Sequence, residues 1–192
     1  MGLGSRANGT LPPVAVIPLK GLDHAKSRLG GVLSRAERAE VALQLLARVI
    51  AACQDAGLAV CVISPDPQAR AEAARLGAET LDDGGVDLTG AVRLGLERYA
   101  HAEAVVAIAA DLPFVTAEDV RELLALARPL AVAPAPDGTT NAAAARPPSA
   151  LRPSYGPGSA ARHGGRHVDL PRLAQDLDTP DDLASWRSTL AV

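Results

Sequence analysis

The sequence predicts an α/β domain with a mainly parallel central sheet and helices on both faces. Three observations carry this expectation. Short, nearly continuous apolar runs recur along the chain, as strands buried on both faces require. Between them lie longer segments whose apolar residues recur at three- and four-residue spacing, the pattern of helices with one buried face. The two kinds alternate from residue 14 to residue 133, the order that builds βαβ crossovers.

The elements follow in order. Val14 to Leu19 (VAVIPL) reads as a buried strand, followed by a polar, glycine-containing stretch from Lys20 to Gly31. Ser34-Arg35-Ala36-Glu37 is a capping box that opens a helix running to about Ala56. Val41, Leu45, Leu46, Val49, Ile50 and Cys53 share one face of it, and Gly57 supplies a left-handed cap. Leu58 to Ile63 is a second strand. Pro67 and Gly77 bracket a second helix, in the usual order for these two residues. Ala78 to Leu81 is a short strand, Leu88 to Tyr99 a helix, and Ala104 to Ala110 a very apolar strand that runs straight into Asp111. Thr116 caps a further helix to about Ala127, and Leu130 to Ala133 is a fifth strand. Residues 134 to 169 are rich in proline and glycine and read as loops. A final helix opens near Thr179-Pro180 and includes Leu183 and Trp186. The expected organisation is a mobile tail over residues 1 to 12 and one domain over 13 to 192.

Composition removes several functional classes. Hydrophobic residues make up 48% of the 192-residue chain and the net charge is only -3, which is incompatible with a disordered chain. No apolar run approaches the ~18 residues of a transmembrane helix, so no membrane partner is expected. Four aromatic residues (Tyr99, Phe114, Tyr155 and Trp186) are too few for the stacking platforms of a single-stranded nucleic-acid binder. Cys53 and Cys61 lie in apolar stretches without metal-ligand spacing and read as small hydrophobes. The N-terminus lacks the basic-then-apolar order of a signal peptide. Both points favour a cytoplasmic protein, with room for a homo-oligomer.

Of the 19 basic residues 17 are arginine, and the only two lysines, Lys20 and Lys26, lie six positions apart. Random placement would bring two lysines that close only about one time in sixteen, a plain composition prior. A lysine ammonium is a compact point charge suited to a phosphate. In open α/β sheets, ligands bind beyond the carboxyl ends of the strands, and Lys20, Lys26 and Arg28 follow such an end. So does Asp111, whose other reading is a helix cap or salt bridge. Asp176 and Asp178 are two positions apart, so in extended geometry both carboxylates project to one face, where they could share Mg2+ together with substrate phosphates. The other reading of Asp178 is a cap on the last helix. The four histidines show no metal-ligand spacing, and the glycines of His163-Gly-Gly-Arg-His167 point to a mobile loop.

Val16-Ile17-Pro18-Leu19-Lys20 followed by Ala25-Lys26-Ser27-Arg28-Leu29 resembles the opening of the guanylyltransferases that make the lactyl- or enolpyruvyl-diphospho-guanosine precursor of the deazaflavin (F-420) coenzyme. The same order continues with Ala110-Asp111-Leu112-Pro113, Gly138-Thr139-Thr140-Asn141, Tyr155-Gly156-Pro157-Gly158-Ser159 with Ala161-Arg162-His163, and Asp176-Leu177-Asp178-Thr179-Pro180. The resemblance spans about residues 13 to 188. It implies a single-domain Rossmann-like nucleotidyltransferase fold of the GT-A-like kind, GTP as donor and a small 2-phospho acid as acceptor. The acceptor would be phosphoenolpyruvate, which is favoured, 2-phospho-L-lactate or the related 3-phospho acid 3-phosphoglycerate. It further implies Mg2+ held by Asp111, Asp176 and Asp178, acceptor contacts from Thr140 (or its neighbour Thr139), Gly156 and Ser159, and nucleotide contacts from Pro18, Leu19, Lys20, Lys26, Arg28 and Thr89. Lys20, Lys26 and Asp111 would carry the catalytic charge. The family commonly has Leu-Asn where this chain has Leu88-Thr89, in the loop expected to face the base. A cytidylyl- or molybdopterin guanylyl-type transferase, or a non-catalytic nucleotide-binding regulator, stays open as an alternative.

Overall fold

The computed structural model describes residues 11–190. Seven strands form one sheet in the order β3-β2-β1-β4-β6-β5-β7. They are β1 (Val14–Pro18), β2 (Ala59–Ile63), β3 (Glu79–Leu81), β4 (Val105–Ile108), β5 (Leu130–Pro134), β6 (Thr140–Ala145) and β7 (Arg166–His167). The helices are α1 (Arg35–Asp55), α2 (Pro67–Arg75), α3 (Leu88–Arg98), α4 (Ala117–Leu126), α5 (Ser159–His163), α6 (Pro171–Ala174) and α7 (Pro180–Leu190). All strand pairs are parallel except those of β6, which is antiparallel to both β4 and β5.

The five expected strands and the helices between them are present, and their local signals hold. Ser34 and Glu37 form a reciprocal capping box on α1, Asp66 caps α2 ahead of Pro67, and Thr116 with Asp119 does the same for α4. Alternate residues of each strand reach opposite faces, as the pleat dictates. Ala15, Ile17, Val60, Val62, Val106 and Ile108 meet α1 and α4, while Val14, Val16, Cys61, Ile63 and Val105 meet α3. Cys53 and Cys61 are both buried, and burial pushes their thiols up to about 12 and about 11.

The stretch read as loops holds more structure than its composition predicts. Asp137-Gly138 is a turn, but it closes a hairpin: Ala135 N–H donates to Thr139 and Gly138 N–H to Ala135. The chain then enters β6, whose six residues are all buried. Alanine is depleted in strands on propensity grounds, which hides Thr140–Ala145 from pattern reading. The sheet uses alanine there because β6 is central, covered on both faces, with Ala142 and Ala144 against one helical layer and Ala143 and Ala145 against the other. β7, α5 and α6 were equally hidden among prolines and glycines. Of the expected N-terminal tail, residues 1 to 10 lie outside the described residues. Leu11 is tied down, its N–H donating to His101 and its carbonyl accepting from Glu103, so the fold begins earlier than residue 13.

The α3 helix sits unusually close to the sheet. A Cβ on Gly95 would lie 2.5 Å from Cγ1 of Val16 and 2.9 Å from Cδ1 of Ile63. Gly95→Ala should therefore lose through overpacking more than it gains in helix propensity, a net destabilisation of about 1–2 kcal/mol. The melting temperature should fall by about 2–8 °C in a thermal unfolding experiment. An unchanged or raised value would show that α3 can shift away at no cost.

Candidate active site

A cleft of about 500 Å³ opens at the carboxyl ends of β1 and β4. It is within the range of small-ligand sites. Pro18, Leu19, Lys20, Lys26, Arg28, Asp111, Thr140, Gly156, Ser159, Asp176 and Asp178 all line it. Thr89 is the exception among the expected residues. Its hydroxyl accepts from the Tyr155 N–H at 3.1 Å, while its neighbour Leu88 lines the cleft.

One wall is acidic. Asp111 lies just beyond β4, and Asp176 and Asp178 come from the extended link between α6 and α7. One oxygen from each of the three carboxylates lies within 4.8 Å of the others. The link is fixed in two ways. Leu177 N–H donates to the Asp111 carbonyl at 3.1 Å, and the Leu177 side chain is fully buried with Leu29, Leu45, Leu183 and Trp186. With Leu177 pointing inward, its two neighbours point to the cleft, as alternation requires. Asp178 does not cap α7. Thr179 fills that role, accepting from Asp182 N–H at 3.2 Å while Asp182 accepts from Thr179 N–H at 2.7 Å. The capping reading of Asp111 fails likewise, since Thr116 caps α4, whereas the salt-bridge reading holds.

The cations are not all directed at open space. Lys26 Nζ lies 2.6 Å from Asp111 Oδ2 and 3.5 Å from Asp178 Oδ1, and Arg28 Nη1 lies 2.7 Å from Asp178 Oδ2. Lys26 reaches this position from a left-handed backbone conformation (φ 50°), a strained choice for a residue with a side chain. Lys20 is exposed at the rim. Three carboxylates this close repel by about 3 kcal/mol per pair at an effective dielectric near 20. The Lys26 ammonium, 7% exposed, offsets part of that repulsion. Burial first, then Asp111, and to a lesser degree Asp178, raise the Asp176 carboxyl above the ordinary range. Hard oxygen donors in a cluster already holding an organic cation fit a divalent ion such as Mg2+.

The opposite wall is hydroxylic. Because β6 runs antiparallel, its first residues lie beside the last residues of β4, and Ala109 N–H donates to the Asn141 carbonyl at 2.7 Å. Thr140 thus reaches the cleft, where its Oγ1 meets Ser159 Oγ at 3.2 Å. Thr139 spends its hydroxyl on Asp137. The Tyr155–Ser159 loop needs two positive-φ residues, Gly156 (φ 105°) and Gly158 (φ 70°), which only glycine adopts at little cost. Arg162 holds the loop by donating to the carbonyls of Ser154, Tyr155 and Pro157. Three contributors stand in the motifs but have no role assigned from sequence. Asn141 lines the cleft and donates to the Leu173 carbonyl; Arg162 and His163 are the others. The loop containing His163 is ordered: His163 ends α5, buried, with both ring nitrogens engaged.

Residues 14–169 match the family described as guanylyl transferase CofC like. The chain is 44% identical over 186 residues to a phosphoenolpyruvate guanylyltransferase of Rubrobacter xylanophilus, covering 88% of this chain and 91% of the relative. It is 40% identical to one of Sphaerobacter thermophilus, covering 88% and 90%. The chain belongs to the CofC-like guanylyl transferase family. Solved structures with the same fold include the 2-C-methyl-D-erythritol 4-phosphate cytidylyltransferase of Thermus thermophilus (TM-score 0.64, 21% identity, 95% of this chain and 100% of that chain). Another is a CMP:2-keto-3-deoxy-manno-octonic acid synthetase complexed with CTP (TM-score 0.63, 18% identity, 94% and 98%). This CofC-like transferase is accordingly a nucleotidyltransferase of the Rossmann-like class, in agreement with the seven-stranded, mostly parallel sheet. No helix among its described residues is long and apolar enough to cross a membrane.

The charge balance of the acidic wall has a measurable consequence. A carboxyl whose pKa is raised by folding favours stability at low pH, and that contribution is lost as pH rises through its folded-state value. Ionised Asp176 is therefore a cost to the metal-free protein at neutral pH. Asp176→Asn should melt no lower than the unsubstituted protein without Mg2+, yet gain little from added Mg2+. Lys26→Met should show the opposite: about 1–3 kcal/mol less stable without metal, discounted for the partial exposure of Asp111 and Asp178, and rescued by Mg2+. Thermal shift with and without Mg2+ measures both. Equal responses of the two variants to Mg2+ would remove the carboxylates from the cation site.

Proposed function

We propose that this transferase moves GMP from GTP to the phosphate of phosphoenolpyruvate, releasing pyrophosphate, in the route to a deazaflavin coenzyme, and that it does so with Mg2+ in the cytoplasm. The observation that carries the reading is the pairing of an acidic, cation-holding wall with a hydroxyl- and glycine-lined wall across one cleft. Such a cleft suits a nucleoside triphosphate and a second anion side by side. The relatives named phosphoenolpyruvate guanylyltransferase support this choice of acceptor over 2-phospho-L-lactate and 3-phosphoglycerate.

The reaction needs no covalent protein nucleophile, since nucleotidyl transfer depends on positioning and charge stabilisation. The acceptor's phosphate oxygen attacks the α-phosphorus of GTP in line, and pyrophosphate leaves. Asp111, Asp176 and Asp178 would hold Mg2+, which supplies charge neutralisation at the reacting phosphates when bound. The remaining tasks belong to the chain's own residues. Lys20 and Arg28, which line the cleft, would meet the triphosphate. Lys26 neutralises Asp111 and Asp178 until those carboxylates are engaged, and its ammonium then serves the triphosphate, where charge builds on the leaving pyrophosphate. Thr140 and Ser159 offer hydroxyls to the acceptor, and Gly156 lets backbone approach it closely. Leu88, which lines the cleft, would face the base, while Thr89 accepts from the Tyr155 N–H.

Pyrophosphate release from each nucleoside triphosphate with each acceptor, in the presence of Mg2+, tests the reading. GTP with phosphoenolpyruvate should be the best pair. Lys26→Arg should reduce its turnover by about tenfold or more, because a planar fork cannot occupy the ammonium's place. Efficient use of CTP with a sugar-alcohol phosphate would replace the proposal with a cytidylyl transfer. GTP binding without pyrophosphate release, for every acceptor, would indicate a regulator.

A further inference from the structure

The hydroxyl wall rests on a histidine that nothing in the reaction above employs. His163 lies at the end of α5, 9% exposed. Its Nε2 is 3.0 Å from the Ser154 backbone N–H, its Nδ1 is 3.0 Å from Thr140 Oγ1, and its ring stands edge-on to Tyr155 with centroids 4.9 Å apart. A backbone N–H can only donate, so Nε2 must keep its lone pair and the ring proton must sit on Nδ1. Burial, together with the positive charge of Arg162, lowers the His163 pKa and keeps the ring neutral. Nδ1–H therefore donates to Thr140, and the ring cannot accept a hydroxyl proton from it.

The count of protons follows. Thr140 and Ser159 have two hydroxyl protons between them, and one is spent in their mutual 3.2 Å bond. In whichever direction that bond runs, one proton is left, and His163 cannot take it. Both residues line the cleft. With the other tautomer, Nδ1 would accept the Thr140 proton and the pair could face the cleft only as acceptors, a poor partner for an anion.

We propose that His163 is a positioning residue which, held in one tautomer by the Ser154 backbone, fixes the Thr140–Ser159 pair as a hydroxyl donor to the anionic acceptor. This deepens the preceding reading and rests on it for the identity of the acceptor.

Two measurements test it. The first is independent of substrate: two-bond 15N–1H correlation of the histidines in the wild-type protein should show His163 neutral with its proton on Nδ1. A proton on Nε2 overturns the proposal, whatever the protein's activity. The second varies phosphoenolpyruvate at saturating GTP. His163→Leu should raise the KM for phosphoenolpyruvate about tenfold, the effect of a lost or misdirected hydrogen bond to a charged group, with the KM for GTP little changed. His163→Asn, which keeps an N–H on the Nδ1 side, should restore most of the loss. In a Thr140→Val background, replacing His163 should have no further effect on this KM. If His163→Leu does not fold, the comparison passes to His163→Asn and His163→Gln, with Asn expected to be the better. A folded His163→Leu with an unchanged KM for phosphoenolpyruvate, or equal effects with and without the Thr140 hydroxyl, overturns the proposal. A wild-type protein that binds both ligands yet releases no pyrophosphate refutes the reaction assigned above and leaves the tautomer measurement to decide the role of His163.

Discussion

Burial of Leu177 holds this site together. A single leucine side chain inserted among Leu29, Leu45, Leu183 and Trp186 joins the lysine loop, α1, the carboxylate link and α7 in one apolar cluster. Its backbone N–H ties the link to Asp111. Burying a leucine contributes about 1.5–3 kcal/mol, comparable to the repulsion of one carboxylate pair at this separation. Leucine burial alone therefore cannot gather three carboxylates, and the Lys26 ammonium must share the task. The acidic wall is a balance between an apolar anchor and the Lys26 cation. That balance explains why Lys26 adopts a left-handed backbone to reach Asp111.

The second constraint is the direction of β6. In a wholly parallel sheet the strand beside β4 would begin at the far end and deliver its residues to the cleft only at its last position. Reversal brings the strand's start to the cleft, so Thr140 and Asn141 stand beside Ala109. Asp111 and the Thr140 hydroxyl thus enter the cleft from adjacent strands. The loop bearing Gly156 and Ser159 follows, held by Arg162, and closes the second wall.

How much of this was legible in the sequence depends on what kind of signal each part carries. Capping boxes and runs of Val, Ile and Leu are local, and Ser34-Glu37, Thr116 and β1, β2 and β4 stand where the sequence places them. The carboxylates were legible too, because Asp111 ends an apolar strand and the Asp176–Asp178 spacing has a direct geometric meaning. β6 was not legible, since an alanine strand bounded by Gly138 and Pro147 imitates a loop unless the helices that cover it are known. His163 was hidden for a related reason. Gly164 and Gly165 (φ 66° and 76°) signal a turn, and a turn does not reveal whether the residue before it is buried. The pairing of Lys26 with Asp111 joins residues 85 positions apart, and no local pattern contains it. Thr89 shows the limit of alignment by motif: it occupies the expected place in sequence, but its hydroxyl faces Tyr155.

On the function proposed above, Asp111, Asp176 and Asp178 are gathered in advance as a cation site that Lys26 fills when no metal is bound. Anomalous difference maps from crystals grown with and without Mn2+ and GTP test it most directly. A strong peak bounded by the three carboxylates is expected, with Lys26 Nζ moved off Asp111 in the Mn2+ crystals only. Mn2+ bound elsewhere, with Lys26 still on Asp111, would contradict it.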